Sequence, residues 1–362
     1  MFKLSLLSVA VSSLPYLVFF KGQPPFYMAS GLILLTVALV GTWKGLLPSR
    51  RHLPLLLYLS YLPLAYFLSG SSQGVFALKT AGYFLGAYTS VVIMGRVLGE
   101  ERGLKILANF LSFFSAAGLF FLALDLFGMR NFAVMSGMKI PYLGIHPIRS
   151  LVFGPNYFSI LALMGFALSL YLFNSGERIY LLHTSLNLLG IVLSFSRAGY
   201  LALGVFLAVY LINRRGTRAL LFILPGAMAL FLLPRFLQIS KGMTGREAIW
   251  PLAWELIKDF PVSGWGMGVE KIFAATGIKW GSAHNTFLDV GLMFGLVGLI
   301  LYAVMFLYTL ALVFREKSWK RELLLPLLPS LLVLSFFTTF VVGGFSLGSQ
   351  LAGIFLGMGM KE

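Results

Sequence analysis

The chain has 362 residues, 59% of them hydrophobic and 11% charged, with a net charge of +16 and no cysteine. Soluble domains are about 25% charged, and a soluble fold could not cover this much apolar surface. Repeated long apolar runs point instead to an all-α polytopic membrane protein. The excess of Lys and Arg then reports topology and contact with anionic lipid or phosphate rather than nucleic-acid binding, and disulfides and thiolate metal sites are excluded.

The apolar runs predict about twelve spans, at residues 4–20, 28–47, 53–69, 74–97, 105–127, 156–173, 179–196, 198–213, 218–234, 284–314, 323–341 and 345–360. Together they form a single integral membrane domain over 1–362, with no internal repeat. The first run, "MFKLSLLSVAVSSLPYLVFFKG", resembles a signal peptide. It lacks a clean small-residue cleavage site and reads as an uncleaved span. Lys79, in "GVFALKTAGYF" of span four, faces a protein-lined cavity or snorkels outward. Asp125, near the end of span five, stands alone. The loop 128–155 follows, carrying His146 and Arg149. In "FGPNYFSI", Asn156 reads as the N-cap of span six. Spans seven and eight share only residues 179–213, and each needs about 17 to 20 residues. The turn between them must be tight, which holds Arg197 of "LSFSRAGYLAL" at the membrane surface. Arg197 there faces a cavity or anchors the interface.

The basic residues set the orientation. Sixteen Lys and Arg fall in the termini and loops of one side, against two in the short loops of the other. Both termini therefore face the cytoplasm. The large loop 235–283 and the smaller loop 128–155 face the opposite side, the periplasm in a bacterium. Loop 235–283 carries six Lys and Arg against Glu247, Glu255, Asp259 and Glu270. It is a weakly basic solvated loop or an outward-facing anion site.

Within it, "TGREAIWPLAWELIKDF" predicts a helix. Thr244 and Glu247 fit a capping box, and Ile249, Leu252, Ala253, Leu256, Ile257 and Phe260 recur at helical spacing. Trp250 and Trp254 extend the apolar face. The helix is too short and charged to span, and is expected to lie along the interface. Pro251 predicts a kink, or a start at that residue. Arg246 falls in the first turn, where free N–H groups and the positive end of the dipole already sit. A cation there fits best if an anion bridges both; the alternative is a snorkelling surface arginine.

"GSAHNTFLDVG" places His284 in the first turn of span ten, with Ser282 as a possible N-cap. A helix N-terminus disfavours imidazolium, so the side chain is expected to be neutral and competent as a general base. The alternative is an interfacial histidine with satisfied hydrogen bonds. Asp289 lies about 140° around the helix from His284 and is not its partner, whereas Asn285 and Asp289 share a face. No DxD, ExD, HExxH or paired-histidine motif occurs, so a tightly held divalent metal is not expected, and no cofactor is called for.

"SFSRAGYLAL", "TGREAIWPLAWELIKDFPVSGWGMG" and "AHNTFLDVGLMFGLVGLI", in this order, resemble the O-antigen ligase/polymerase superfamily, the Wzy- and WaaL-type membrane glycosyltransferases. The resemblance is strongest over 190–302, and "GPNYFSILAL" is similar to the family's asparagine-containing start of a span. The chain is short for the family, and Pro251 interrupts a helix that is usually cleaner. The resemblance implies a GT-C-like fold of about twelve helices with a large periplasmic loop over the catalytic cavity. It also implies a metal-independent enzyme of the bacterial inner membrane and an undecaprenyl-diphosphate-linked glycan as donor. A ligase passes the glycan to a sugar hydroxyl of lipid A–core; a polymerase passes it to another lipid-linked unit. On this resemblance Arg197 and Arg246 hold the diphosphate, with Lys79 and Arg149 as weaker candidates. His284 takes the acceptor proton in an inverting transfer, and Asn285 and Asn156 support. A transporter or flippase for lipid-linked sugars is the reading of another class. The symmetric halves and broken helices of such transporters are not evident in the sequence.

Overall fold

The computed structural model describes residues 1–13, 24–69, 74–129, 132–135, 145–152, 154–219, 246–276, 282–344 and 346–361. Among these residues the chain is all-α and membrane-embedded, with a single isolated bridge, Val134 to Ile148. The helices are α1 (Phe2–Ser13), α2 (Pro24–Trp43) and α3 (Leu53–Leu68). Next, Gly74–Ala87 runs through a π-helical segment, Tyr88–Met94, into Gly95–Leu98 as one rod, α4. Then come α5 (Glu101–Leu126), α6 (Pro155–Asn174), α7 (Tyr180–Leu193), α8 (Arg197–Arg215), α9 (Arg246–Asp259), α10 (Val269–Ala275), α11 (Thr286–Arg315), α12 (Trp319–Ser335) and α13 (Leu347–Met360). Among the described residues, four helical stretches are long and apolar enough to cross a bilayer: Phe76–Leu98, Glu101–Leu126, Pro155–Asn174 and Thr286–Arg315. The expected span 218–234 lies almost wholly outside the described residues, as do Thr244 and the start of the expected capping box.

Helix starts follow local chemistry. Ser196 caps α8 by accepting the Gly199 N–H at 3.1 Å, and Ser346 caps α13 by accepting the Ser349 N–H at 3.0 Å. Pro155 opens α6, where a missing N–H costs nothing. Without a hydrophobic drive between helices in lipid, packing relies on small residues and polar contacts. The π segment of α4 meets α13 where Gly353 and Gly357 leave no room for a Cβ against Ser90 and Val91. Asn187 of α7 accepts from Ser115 and donates to Ser112, both on α5, at 2.8 and 2.7 Å.

Two elements depart from the helical reading. The run expected as span 323–341 is helical only to Ser335, and residues 336–344 cross over the start of α11 as irregular backbone. Helix α11 is itself broken at Gly295, with φ 68° and ψ −173°. The segment after α9 enters that break: Trp265 N–H donates to Leu292 O at 2.7 Å and Leu296 N–H to Pro261 O at 2.7 Å. Tyr61 of α3 donates its hydroxyl to Val262 O. Irregular backbone at membrane depth survives only where protein satisfies it, and here the plug supplies both partners.

The predicted cytoplasmic charges gather at one end of the bundle. Arg51 pairs with Glu316 at 3.0 Å, Lys105 with Glu177 at 2.7 Å, and Arg214 with Glu322 at 3.4 Å. Lys361 Nζ donates to Arg96 O at 3.3 Å. The loop 145–152, the turn 194–196 and the segment 336–344 lie at the other end.

Candidate functional site

The turn between α7 and α8 is as tight as the shared span length demands, only residues 194–196. Phe195 takes φ 50°, and Ser194 Oγ accepts the Ser196 N–H at 3.2 Å. Arg197 follows as the first residue of α8. Asn156 is not a cap: Gly154 holds that position, and Asn156 Oδ1 accepts the Ser196 hydroxyl at 2.8 Å. Asn156 thus braces the turn that carries Arg197. The loop with Arg149 leans on the same turn, since Ile148 N–H donates to Leu193 O at 3.0 Å. Arg149 spends its Nε on Phe132 O. Asp125 does not stand alone: its Oδ2 lies 2.7 Å from His146 Nδ1.

Helix α9 is amphipathic as expected, but its buried stripe, Ile249, Ala253 and Ile257, faces protein. A Cβ on Gly291 of α11 would lie 2.8 Å from Ile257 Cδ1. Burying each isoleucine contributes about 2 kcal/mol. Trp254 and Phe260 remain exposed. The helix continues on both sides of Pro251, so it does not begin there.

Arg246, the first described residue of α9, donates from Nη2 to Phe337 O at 2.9 Å and lies over the Phe337 ring. Its Nε is buried and meets no hydrogen-bond acceptor among the described residues. Burial first, and the neighbouring Arg197 charge second, hold its pKa below the ordinary guanidinium value, with Glu247 acting the other way. Trp250, one turn on, donates Nε1–H to Ala283 O at 3.1 Å. That contact joins α9 to the turn before α11.

His284 is not in the first turn of α11. It precedes the N-cap, with φ 51°. The cap is Asn285 rather than Ser282, and its Oδ1 accepts from Phe287 N–H at 3.0 Å and Leu288 N–H at 3.2 Å. Ser282 Oγ instead accepts the His284 N–H at 3.3 Å. Burial, then the Arg246 charge, lowers the His284 pKa. Both causes favour the uncharged imidazole, and neither is the helix dipole that the sequence pointed to.

Trp250 joins the start of α9 to the turn before α11, and charge interactions link Arg197 to Arg246 and Arg246 to His284. Lys79 is not joined to them by a described contact: its Nζ lies 5.9 Å from the Phe76 ring, which Lys271 also approaches at 5.3 Å. The sequence reading missed the segment 336–344. Phe337 O receives Arg246, Thr338 O receives the Thr286 hydroxyl at 2.8 Å, and Thr339 O receives the Tyr157 hydroxyl at 2.8 Å. Its signal was a Thr-Thr pair followed by Gly343 and Gly344 inside an apolar run. Chemically, two guanidiniums near helix starts are groups able to hold an anion, and an imidazole whose uncharged form is favoured is a group able to accept a proton.

Residues 182–303 match the family model described as O-antigen ligase. The matched stretch contains Arg197, Arg246, His284 and Asn285, and ends short of the segment 336–344. No curated protein sequence matches the chain.

Proposed function

With residues 182–303 supporting the O-antigen ligase/polymerase superfamily for this chain, we propose that it is an O-antigen ligase-type glycosyltransferase. It moves a glycan from undecaprenyl diphosphate to a sugar hydroxyl of lipid A–core at the periplasmic face of the bacterial inner membrane. The observation that carries this reading is the charge linkage of Arg197, Arg246 and His284, with Arg246 Nε buried and without an acceptor among the described residues.

The chemistry balances without a metal. The acceptor oxygen attacks the anomeric carbon and His284 takes its proton. The bond from that carbon to the diphosphate breaks, and the electron pair leaves with the diphosphate. Attack opposite the leaving group inverts the anomeric centre. Arg197 and Arg246 hold the departing charge through charge-assisted hydrogen bonds. Asn156 supports through the Arg197 turn and Asn285 through the cap beside His284. A Wzy-type polymerase uses the same leaving group and base, with a second lipid-linked glycan as acceptor. About twelve spans, with both termini cytoplasmic, belong to the same proposal.

The test is purified protein in detergent with an undecaprenyl-diphosphate-linked glycan. Release of undecaprenyl diphosphate that requires lipid A–core is the expected result. Release without lipid A–core, with lengthening of the lipid-linked glycan, would assign the polymerase. No release under either condition, with intact binding of the donor, would favour a transporter or flippase.

A further inference from the structure

Asp289 lies in the first turn of α11 and is 4% exposed. Its two oxygens serve two different segments. Oδ1 accepts the Ala283 N–H at 2.7 Å, and Oδ2 accepts the Thr339 hydroxyl. Ala283 adjoins His284, and its carbonyl receives Trp250 of α9. Thr339 lies two residues beyond Phe337, whose carbonyl receives Arg246. Thr339 Oγ1 is also 3.3 Å from Ser282 Oγ, which receives the His284 N–H. One buried carboxylate therefore ties the turn holding His284 to the segment holding Arg246.

His284 gives that tie a purpose. A non-glycine residue at positive φ costs about 1–3 kcal/mol and persists only where its surroundings over-determine it. The bonds at Ser282 and Ala283, just before His284, and the Asn285 cap just after it supply such constraint. A buried carboxylate is expensive unless its oxygens are fully used, and here both accept short hydrogen bonds.

We propose that Asp289 and Thr339 form a positioning pair that fixes His284 relative to Arg246. In the reaction proposed above, on which this rests, the pair sets the spacing between proton acceptor and diphosphate. Neither residue touches the reacting atoms. The role is geometric, so the shape of Asp289 matters more than its charge. An asparagine can still accept from Ala283 N–H through its carbonyl and donate to Thr339 Oγ1 through its amide.

The experiment uses full-length protein in detergent, an undecaprenyl-diphosphate-linked glycan as donor and lipid A–core as acceptor. It reads kcat, donor KM and the pH–rate profile. Asp289→Ala is expected to lose about 100-fold in kcat, the scale of a misplacement near 1 Å, with donor KM changed less than about threefold. Its acid limb should move to higher pH as the His284 turn loosens and admits water. Asp289→Asn should stay within about fivefold of wild type. Thr339→Val should lose about tenfold and Thr339→Ser should restore it, and this pair decides if Asp289→Ala does not fold. Wild-type turnover by Asp289→Ala or Thr339→Val, with His284→Ala silent, overturns the positioning pair and leaves the His284 reading intact. Asp289→Asn as inactive as Asp289→Ala overturns it in favour of charge. Wild-type turnover by His284→Ala removes the underlying reading and the pair together.

Discussion

Arg246 has two effects on its surroundings. Its buried Nε has no hydrogen-bond partner among the described residues, and its charge lowers the His284 pKa after burial has already done so. The sign of the pH dependence follows. A general base works deprotonated, so the acid limb of kcat/KM reports the His284 pKa in the free enzyme. That limb should lie below the ordinary histidine value of about 6.5. Arg246→Ala removes one lowering cause, so the limb should move to higher pH in the residual activity. A limb that stays in place in Arg246→Ala would show that a different group titrates. These residues were legible in the sequence because a cation at a helix start and a rare histidine at a helix mouth are local oddities. The partners were less so. Asn156 and Asn285 each looked like groups free to cap or orient, and which one caps depends on where the backbone turns. Asp289 was set aside on helical angle, on the premise that His284 lies in the helix, whereas it precedes the cap. Its bonds to Ala283 and Thr339 depend on a left-handed residue at His284 and on a segment fifty residues away.

The break in α11 and its plug fix where α9 sits. Gly264 and Gly295 both hold positive φ and pack backbone against backbone, so a Cβ on Gly264 would come within 2.6 Å of Gly295 N. A Cβ on Gly295 would overlap Val262 O. Gly295→Ala should therefore expel the plug, release the far end of α9 and weaken donor binding through Arg246. Thermal unfolding in detergent and donor affinity should both fall, while Val297→Ala, an exposed neighbour on the same helix, should leave both unchanged. Unchanged donor affinity in Gly295→Ala would separate the plug from the site. The amphipathic stripe of α9 was readable from its spacing: Ile249, Ala253 and Ile257 of the predicted face are buried, while Trp254 and Phe260 are exposed. That the stripe packs on the flank of α11 was not readable, because the same periodicity suits a bilayer surface. The break was hidden in "GLMFGLVGL", where glycines merge with an unbroken apolar run. Only the arrival of the 261–265 segment shows that one of them is a corner.

At the scale of the molecule, the bundle separates two kinds of positive charge. At one end Arg51, Lys105 and Arg214 are matched by Glu316, Glu177 and Glu322. At the other, Arg197 and Arg246 adjoin each other, and the charge of one disfavours that of the other. In the reading proposed above, the matched cations serve topology and packing and the adjoining pair binds the lipid-linked diphosphate. The charge asymmetry of the loops foretold which basic residues would gather. The number of spans was less readable, since several apolar helices are shorter than a bilayer demands and one segment that read as apolar and helical runs as irregular backbone. The most direct test is His284→Ala in the purified full-length protein, with donor binding and undecaprenyl diphosphate release measured on the same sample. Binding within about threefold of wild type, with release reduced at least about 100-fold, is the predicted result. Release at the wild-type rate would contradict it.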